Sequence, residues 1–99
     1  MRRDLTELNK LEKYLKRNGI RYRRIDVLDP CFDRHQIVVG GDLEPGACDW
    51  DAICNRGSYG CEDGLLEIMG SIVDEKRVGD CVEGYLTAAD VIKRIEEVN

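Results

Sequence analysis

The first hydrophobic residues of the chain recur at the spacing of an α-helix. Four leucines fall within about a third of the circumference at about 100° per residue: Leu5, Leu8, Leu11 and Leu15. Asp4 and Glu7 have the spacing of a capping-box-like pair, and Gly19 stands where a left-handed C-terminal residue belongs. The pattern predicts a first helix between Asp4 and Gly19.

Alternating residues in IRYRRIDVLD predict the first strand, over residues 20–29. The parity of the apolar positions changes between Tyr22 and Ile25, which predicts a bulge or a break near Arg24. Pro30 is expected to end the strand because proline cannot donate to a ladder.

Two more strands are predicted, RHQIVV over residues 34–39 and WDAIC over residues 50–54. In the latter, Trp50, Ala52 and Cys54 alternate onto one face, which places Cys54 in the core. The connections before this strand are too short for parallel crossovers, so the strands are expected to pair as an antiparallel meander.

The remaining apolar patterns predict two further helices. A wide apolar arc indicates a helix over residues 62–73, and Thr87 with Asp90 marks the N-terminus of the last one. The element order is therefore α-β-β-β-α-α in a single domain, residues 1–99. This order predicts an α+β fold of two layers, with a three-stranded antiparallel meander packed against helices.

Charge is divided unevenly along the chain. Residues 1–24 carry nine Lys or Arg and three acids, whereas residues 25–99 carry six Lys or Arg and seventeen acids. Such asymmetry indicates charged partners or two oppositely charged faces. A basic helix and strand can follow a phosphate backbone, and the residues of this nucleic-acid hypothesis are Lys10, Lys13, Arg17, Arg21, Arg23 and Arg24.

The acidic middle region predicts contact with a protein partner instead. A negative face can dock on a basic surface, such as that of a nucleic-acid-handling protein, and associates fast through electrostatic steering. Trp50 belongs to this prediction on the condition that its side chain is exposed. The expected contact residues are Asp42, Glu44, Asp49, Trp50, Asp51, Tyr59, Glu62 and Asp63.

The segment CNRGSYGCEDG, residues 54–64, resembles a ligand loop in composition, and Arg56 with free amides could bind an anion there. Its glycines match neither a Walker motif nor a dinucleotide fingerprint. Acids at Glu62 and Asp63 would repel a phosphate. The segment is therefore interpreted as a tight turn with acidic capping, and Tyr59 as an exposed contact residue at its tip.

Thiol or zinc chemistry is a second alternative, after nucleic-acid binding. Five cysteines are present, but no pair has the short spacing that structural zinc uses, and His35 is the only histidine. We expect no catalytic residue, no metal and no cofactor, and therefore a protein that is not an enzyme. The thiols are expected to be free, because no export signal is recognisable and their number is odd.

No membrane span is predicted, since Glu67 interrupts the best apolar run, GLLEIMGSIV. The start of the chain lacks the apolar core of a signal peptide. A cytoplasmic location is therefore expected.

The run FDRHQIVV…WDAICNRGSYGCEDGLLEIMG…VEGYLTAADVIKRI resembles short uncharacterised proteins of bacteria and of their phages or mobile elements. The resemblance covers about two thirds of the chain. It transfers no catalytic or ligand-binding residue. It implies an accessory role, including inhibition of host defence of the anti-CRISPR kind. Together with the charge pattern, it favours a small binding protein that acts through a charged surface on a protein partner.

Overall fold

The computed structural model describes residues 3–29 and 31–98, so the expectation for Pro30 lies outside the described residues. One antiparallel sheet carries its strands in the order β1-β2-β3-β4-β5. The elements are α1 Thr6–Arg17, β1 Tyr22–Asp29, β2 Phe32–Val39, β3 Trp50–Ile53, β4 Leu66–Gly70, α2 Glu75–Val78, β5 Val82–Leu86 and α3 Ala88–Glu97. The fold class is α+β, as predicted.

The first and last helices are confirmed, but the capping-box-like pair predicted for Asp4 and Glu7 is wrong, because α1 begins after Leu5 without a side-chain cap. At α3, the Thr87 hydroxyl accepts from the Asp90 N–H and the Asp90 carboxylate accepts from the Thr87 N–H, which completes a capping box. At α1, Asp4 accepts from the Thr6 N–H at 3.0 Å. Glu7 instead accepts from the Ala88 N–H at 2.8 Å, so it ties α1 to the start of α3.

The predicted helix over residues 62–73 is wrong, because this region holds a single 3₁₀ turn, Cys61–Asp63, followed by strand β4. An apolar run of this length fits a buried strand as well as a helix, and pairing with strands on both sides decides the outcome. Residues 82–86 were not predicted as a strand and form β5, so the meander has five strands rather than three.

The bulge predicted near Arg24 is also wrong, since β1 pairs with β2 in unbroken register from Tyr22 to Asp29. The change of parity has another cause. Arg24 turns toward α1, where it donates to Glu12 at 3.1 Å, while Ile25 lies on the opposite face. Both faces of this strand are therefore partly apolar and partly charged.

The core lies between one face of the sheet and the helices. Ile37, Ala52 and Ile68 are neighbours across three strands, and all three are fully buried with the leucines of α1 and with Val91 and Ile95 of α3. We call this side the covered face. We call the opposite side the outer face. There, Val38, Asp51 and Met69 are neighbours across the same three strands. No helix in the described residues combines the length and apolar composition that crossing a bilayer requires.

Candidate functional site

Two adjoining hollows lie at the end of the sheet where β1 turns into β2 and where β3 runs into the loop of residues 54–65. We call this the hairpin end. The larger hollow has a volume of about 730 Å³, within the range of ligand sites. It is lined by Arg3, Asp4, Asp29, Cys31, Phe32, Asp33, Arg56, Gly57, Cys61 and Glu62.

The smaller hollow, of about 200 Å³, lies between the 54–65 loop and β5 and shares Gly57, Cys61 and Glu62 with the larger one. Tyr59 and Tyr85 line it and stack on each other, with ring centroids 6.3 Å apart and an interplanar angle of 19°. The two hollows therefore form one continuous surface.

Gly84 explains how the loop approaches β5 so closely. A Cβ atom at this position would lie 2.3 Å from the Tyr59 Cβ, which is closer than real Cβ atoms come. The Tyr85 N–H donates to the Tyr59 carbonyl at 3.1 Å, and the Tyr59 N–H donates to the Glu67 carboxylate at 2.9 Å. These backbone contacts fix the tyrosine pair in place.

An ion-pair network holds the other wall of the larger hollow. Arg3 donates from Nε and Nη2 to the two carboxylate oxygens of Asp33, both at 2.9 Å. That bidentate contact lowers the pKa of Asp33 to about 2. Asp33 also lies 3.4 Å from His35 Nε2, and His35 Nδ1 lies 2.8 Å from Asp26.

This geometry leaves His35 without access to a substrate. The side chain is 3% exposed, and each ring nitrogen faces a carboxylate of the protein itself. A general base needs a nitrogen within reach of the proton it removes. His35 is therefore built as a structural link between β1 and β2.

The thiols near the hollows differ in exposure and in the pKa of the sulfur. Cys54 and Cys61 are buried, and Cys54 belongs to the core, as predicted. Burial raises the pKa of Cys54 to about 11, which suppresses the nucleophilic thiolate. Cys31 is exposed on the rim of the larger hollow. In the part of the chain that the structure describes, no three His, Cys, Asp or Glu converge as metal ligands.

The predicted acidic contact residues do not form one face. Tyr59, Glu62 and Asp63 line the smaller hollow at the hairpin end. The remaining exposed acids of the set lie in the loop between β2 and β3, at the other end of β3: Asp42, Glu44 and Asp49. Asp51 lies between the two ends on the outer face.

Trp50 requires a correction. Its side chain is 6% exposed and packs in the core cluster, so it offers almost no surface to a partner. The alternation that grouped it with Ala52 and Cys54 already indicated a buried face, and burial of the indole follows from it.

The predicted nucleic-acid residues are partly engaged within the chain. Lys10 pairs with Glu7 at 3.3 Å and Arg23 with Glu44 at 3.1 Å. Arg24 is enclosed between Glu12 and Asp26. The three other members of the set are exposed at the C-terminal half of α1 and just before β1: Lys13, Arg17 and Arg21.

Two aromatic residues of the hairpin end were missed by the sequence analysis. Phe32 is 54% exposed on the larger hollow, and Tyr85 is 64% exposed on the smaller one. Phe32 follows the turn at the end of β1, and an apolar residue at a hairpin tip is a signal that could have identified it. Tyr85 lies in β5, which was not predicted, and its φ of 60° turns the strand locally.

Comparisons with protein-family models, curated proteins and solved structures find no significant match to this chain.

Proposed function

We propose that this chain is a non-enzymatic binding protein that docks on a basic segment of a protein partner through its hairpin end. The observation that carries the proposal is the grouping of Phe32, Tyr59 and Tyr85, each more than half exposed, around two joined hollows. Exposed aromatic residues of this kind are typical anchors of protein interfaces.

The charges around these aromatics favour a cationic partner. Asp4, Asp29, Glu62 and Asp63 are exposed acids of the two hollows. Of the two arginines that line the larger hollow, Arg3 is committed to Asp33, and Arg56 donates to the Cys31 carbonyl. Aromatic faces also attract Lys and Arg. The surface therefore suits a segment that presents Lys or Arg beside an apolar side chain.

The chemistry of the site supports binding rather than catalysis. His35 is buried with both ring nitrogens facing carboxylates of the chain itself, and the pKa of Cys54 is raised to about 11. A thiol–histidine pair of the catalytic type requires a free base and an accessible thiolate. An accessory role, including inhibition of a host protein, is consistent with this mode of action.

Site-specific photo-cross-linking in the native cell tests the proposal. A benzophenone amino acid replaces Tyr59 in one variant and Lys13, on the exposed side of α1, in a control. We expect the position-59 variant to form protein adducts that survive nuclease treatment and map to a Lys- or Arg-bearing surface. Adducts only from position 13, or adducts lost with nuclease, would contradict it.

A matched pair of charge reversals then measures the contribution of the acids. With the cross-linked protein as the probe, Glu62→Lys is expected to weaken binding by about tenfold, because it reverses a charge at the interface. Asp42→Lys makes the same change at the other end of β3 and should leave the affinity unchanged. Equal losses in both variants would indicate a response to net charge alone.

A nucleic-acid binder is the second candidate, favoured by the exposure of Lys13, Arg17 and Arg21 on adjoining elements. Such a protein would lose affinity steeply with salt. The double variant Lys13→Glu/Arg17→Glu should then abolish binding to a random single- or double-stranded DNA probe. A flat salt response would remove this candidate.

A further inference from the structure

Strand β1 forms an edge of the sheet, because within residues 3–29 and 31–98 it pairs only with β2. It is eight residues long, as long as β2, and most of its residues are exposed. A long edge strand presents unpaired backbone groups that can accept another strand. The side chains of β1 determine which strand can pair with this edge.

The charges of this edge are sorted along its length. Arg21 lies just before the strand, Arg23 and Arg24 lie at its start, and Asp26 and Asp29 lie toward its end. An identical strand that runs antiparallel brings its acidic half beside this basic half. The edge is therefore complementary to a second copy of itself.

One register of the antiparallel β1–β1 pair places oppositely charged residues across from each other. With Ile25 opposite its own copy, Arg21 faces Asp29 twice by symmetry. Arg24 and Asp26, which already form an ion pair within each chain, face each other across the same seam. Centring the pair on Arg24 would oppose two arginines, and centring it on Asp26 would oppose two aspartates. Like charges directly opposite each other destabilise a strand pair, so the Ile25 register is selected.

The same register places apolar residues together. On the outer face, Ile25 meets Ile25, and Val27, which is 37% exposed, lies beside the aliphatic stem of Arg23. On the covered face, Leu28, which is 87% exposed, lies opposite Tyr22. Pairing removes apolar surface from water on both sides.

We propose that β1 associates antiparallel with β1 of a second copy of this chain, centred on Ile25, to form a two-fold symmetric dimer with one continuous sheet. The two-fold axis runs perpendicular to the sheet, so both helix layers lie on the same side of it. This surface meets the hairpin end at Asp29, which also lines the larger hollow, but it contains none of the three exposed aromatic residues. The proposal stands whether or not that cluster binds a partner.

Sedimentation equilibrium over a dilution series tests the proposal with charge-swapped chains. The wild type is expected to sediment as a dimer. Arg21→Asp and Asp29→Arg should each raise the dimer dissociation constant by about tenfold, because two ion pairs become two like-charge contacts. An equimolar mixture of the two variants should restore dimerisation, since each residue then faces its opposite.

A second pair of variants avoids any role of Asp29 in the turn after β1. Val27→Glu places an acid opposite Arg23 of the second copy and should tighten the dimer, whereas Val27→Lys should weaken it. Glu75→Arg, on α2 beside β5 at the opposite edge of the sheet, should do neither. A wild type that stays monomeric throughout the series overturns the proposal, as does a mixture that dimerises no better than its separate components.

Discussion

The carboxylates on the two faces of the sheet behave in opposite ways. On the covered face, hydrogen bonds from Arg3 lower the pKa of Asp33 to about 2. Burial raises the pKa of Asp26 on the same face, yet hydrogen bonds from His35 and Arg24 outweigh it and the net direction is down. On the outer face, burial raises the pKa of Asp51, which accepts from the Gln36 amide at 2.6 Å.

The opposite pKa shifts show that the segments packed on the covered face contribute cations as well as apolar surface. On the covered face, Arg3, which precedes α1, donates to Asp33, and Arg24 of β1 donates to Asp26. On the outer face, Asp51 has a neutral donor, and burial together with the charge of Glu67 raises its pKa against the opposing charge of Arg34. A carboxylate stabilises the fold where a cation is held against it, and it costs stability where burial comes without one.

The largest effect is expected from removing the cation of the covered face. Arg3→Ala leaves Asp33 partly buried without its bidentate donor, and we expect the free energy of unfolding to fall by about 2 kcal/mol. Arg23→Ala is the control, because it breaks the exposed pair with Glu44 and should change stability by less than about 0.5 kcal/mol. Urea unfolding measures both. Equal losses would show that Arg3 stabilises the fold no more than an exposed ion pair does.

Acid should destabilise the wild type through the covered face. The pKa of Asp33 is about 2 in the folded chain against an ordinary value of 3.8. The stabilisation is therefore complete above about pH 4 and is lost as the pH falls toward 2. Arg3→Ala should flatten this part of the profile in urea melts taken across that range. A variant with the wild-type slope would place the acid sensitivity elsewhere.

The smallest effect, of opposite sign, is expected on the outer face. Because the pKa of Asp51 is raised, its charged form costs stability at neutral pH, and Asp51→Asn removes that cost while keeping an acceptor for Gln36. We expect a gain of less than about 1 kcal/mol at neutral pH. Asp26→Asn, the same change on the covered face, should lose stability. Thermal melts that rank the two variants in the other order would contradict the comparison.

The elements with unambiguous periodicity were predictable from the sequence. The leucine stripe of α1 and the cap at Thr87 each have one reasonable interpretation, and both helices are confirmed. Strand β4 was mistaken for a helix because Leu66 and Ile68 belong to a nearly continuous apolar run. Strand β5 was missed because Gly84 and Tyr85 interrupt its alternation, and only the approach of Tyr59 explains the glycine.

The candidate site was predictable in part, for a related reason. Tyr59, Glu62 and Asp63 were identified from local composition, and they line one hollow. Phe32 and Tyr85 come from distant strands, and their proximity to that loop depends on sheet order and register. Trp50 was given a conditional contact role because its residue type suits interfaces, whereas its position on the strand determines its burial.

The cysteines differ in exposure and in pKa, so a labelling reagent should distinguish among them. The thiolate is the form that attacks an alkylating reagent. At neutral pH such reagents should therefore spare buried Cys54 and react slowly with Cys81, whose pKa a hydrogen bond to Asp80 raises. Cys31 is exposed on the rim of the larger hollow. A maleimide dye would therefore attach there first, and its emission could report the arrival of a binding partner without any engineered residue.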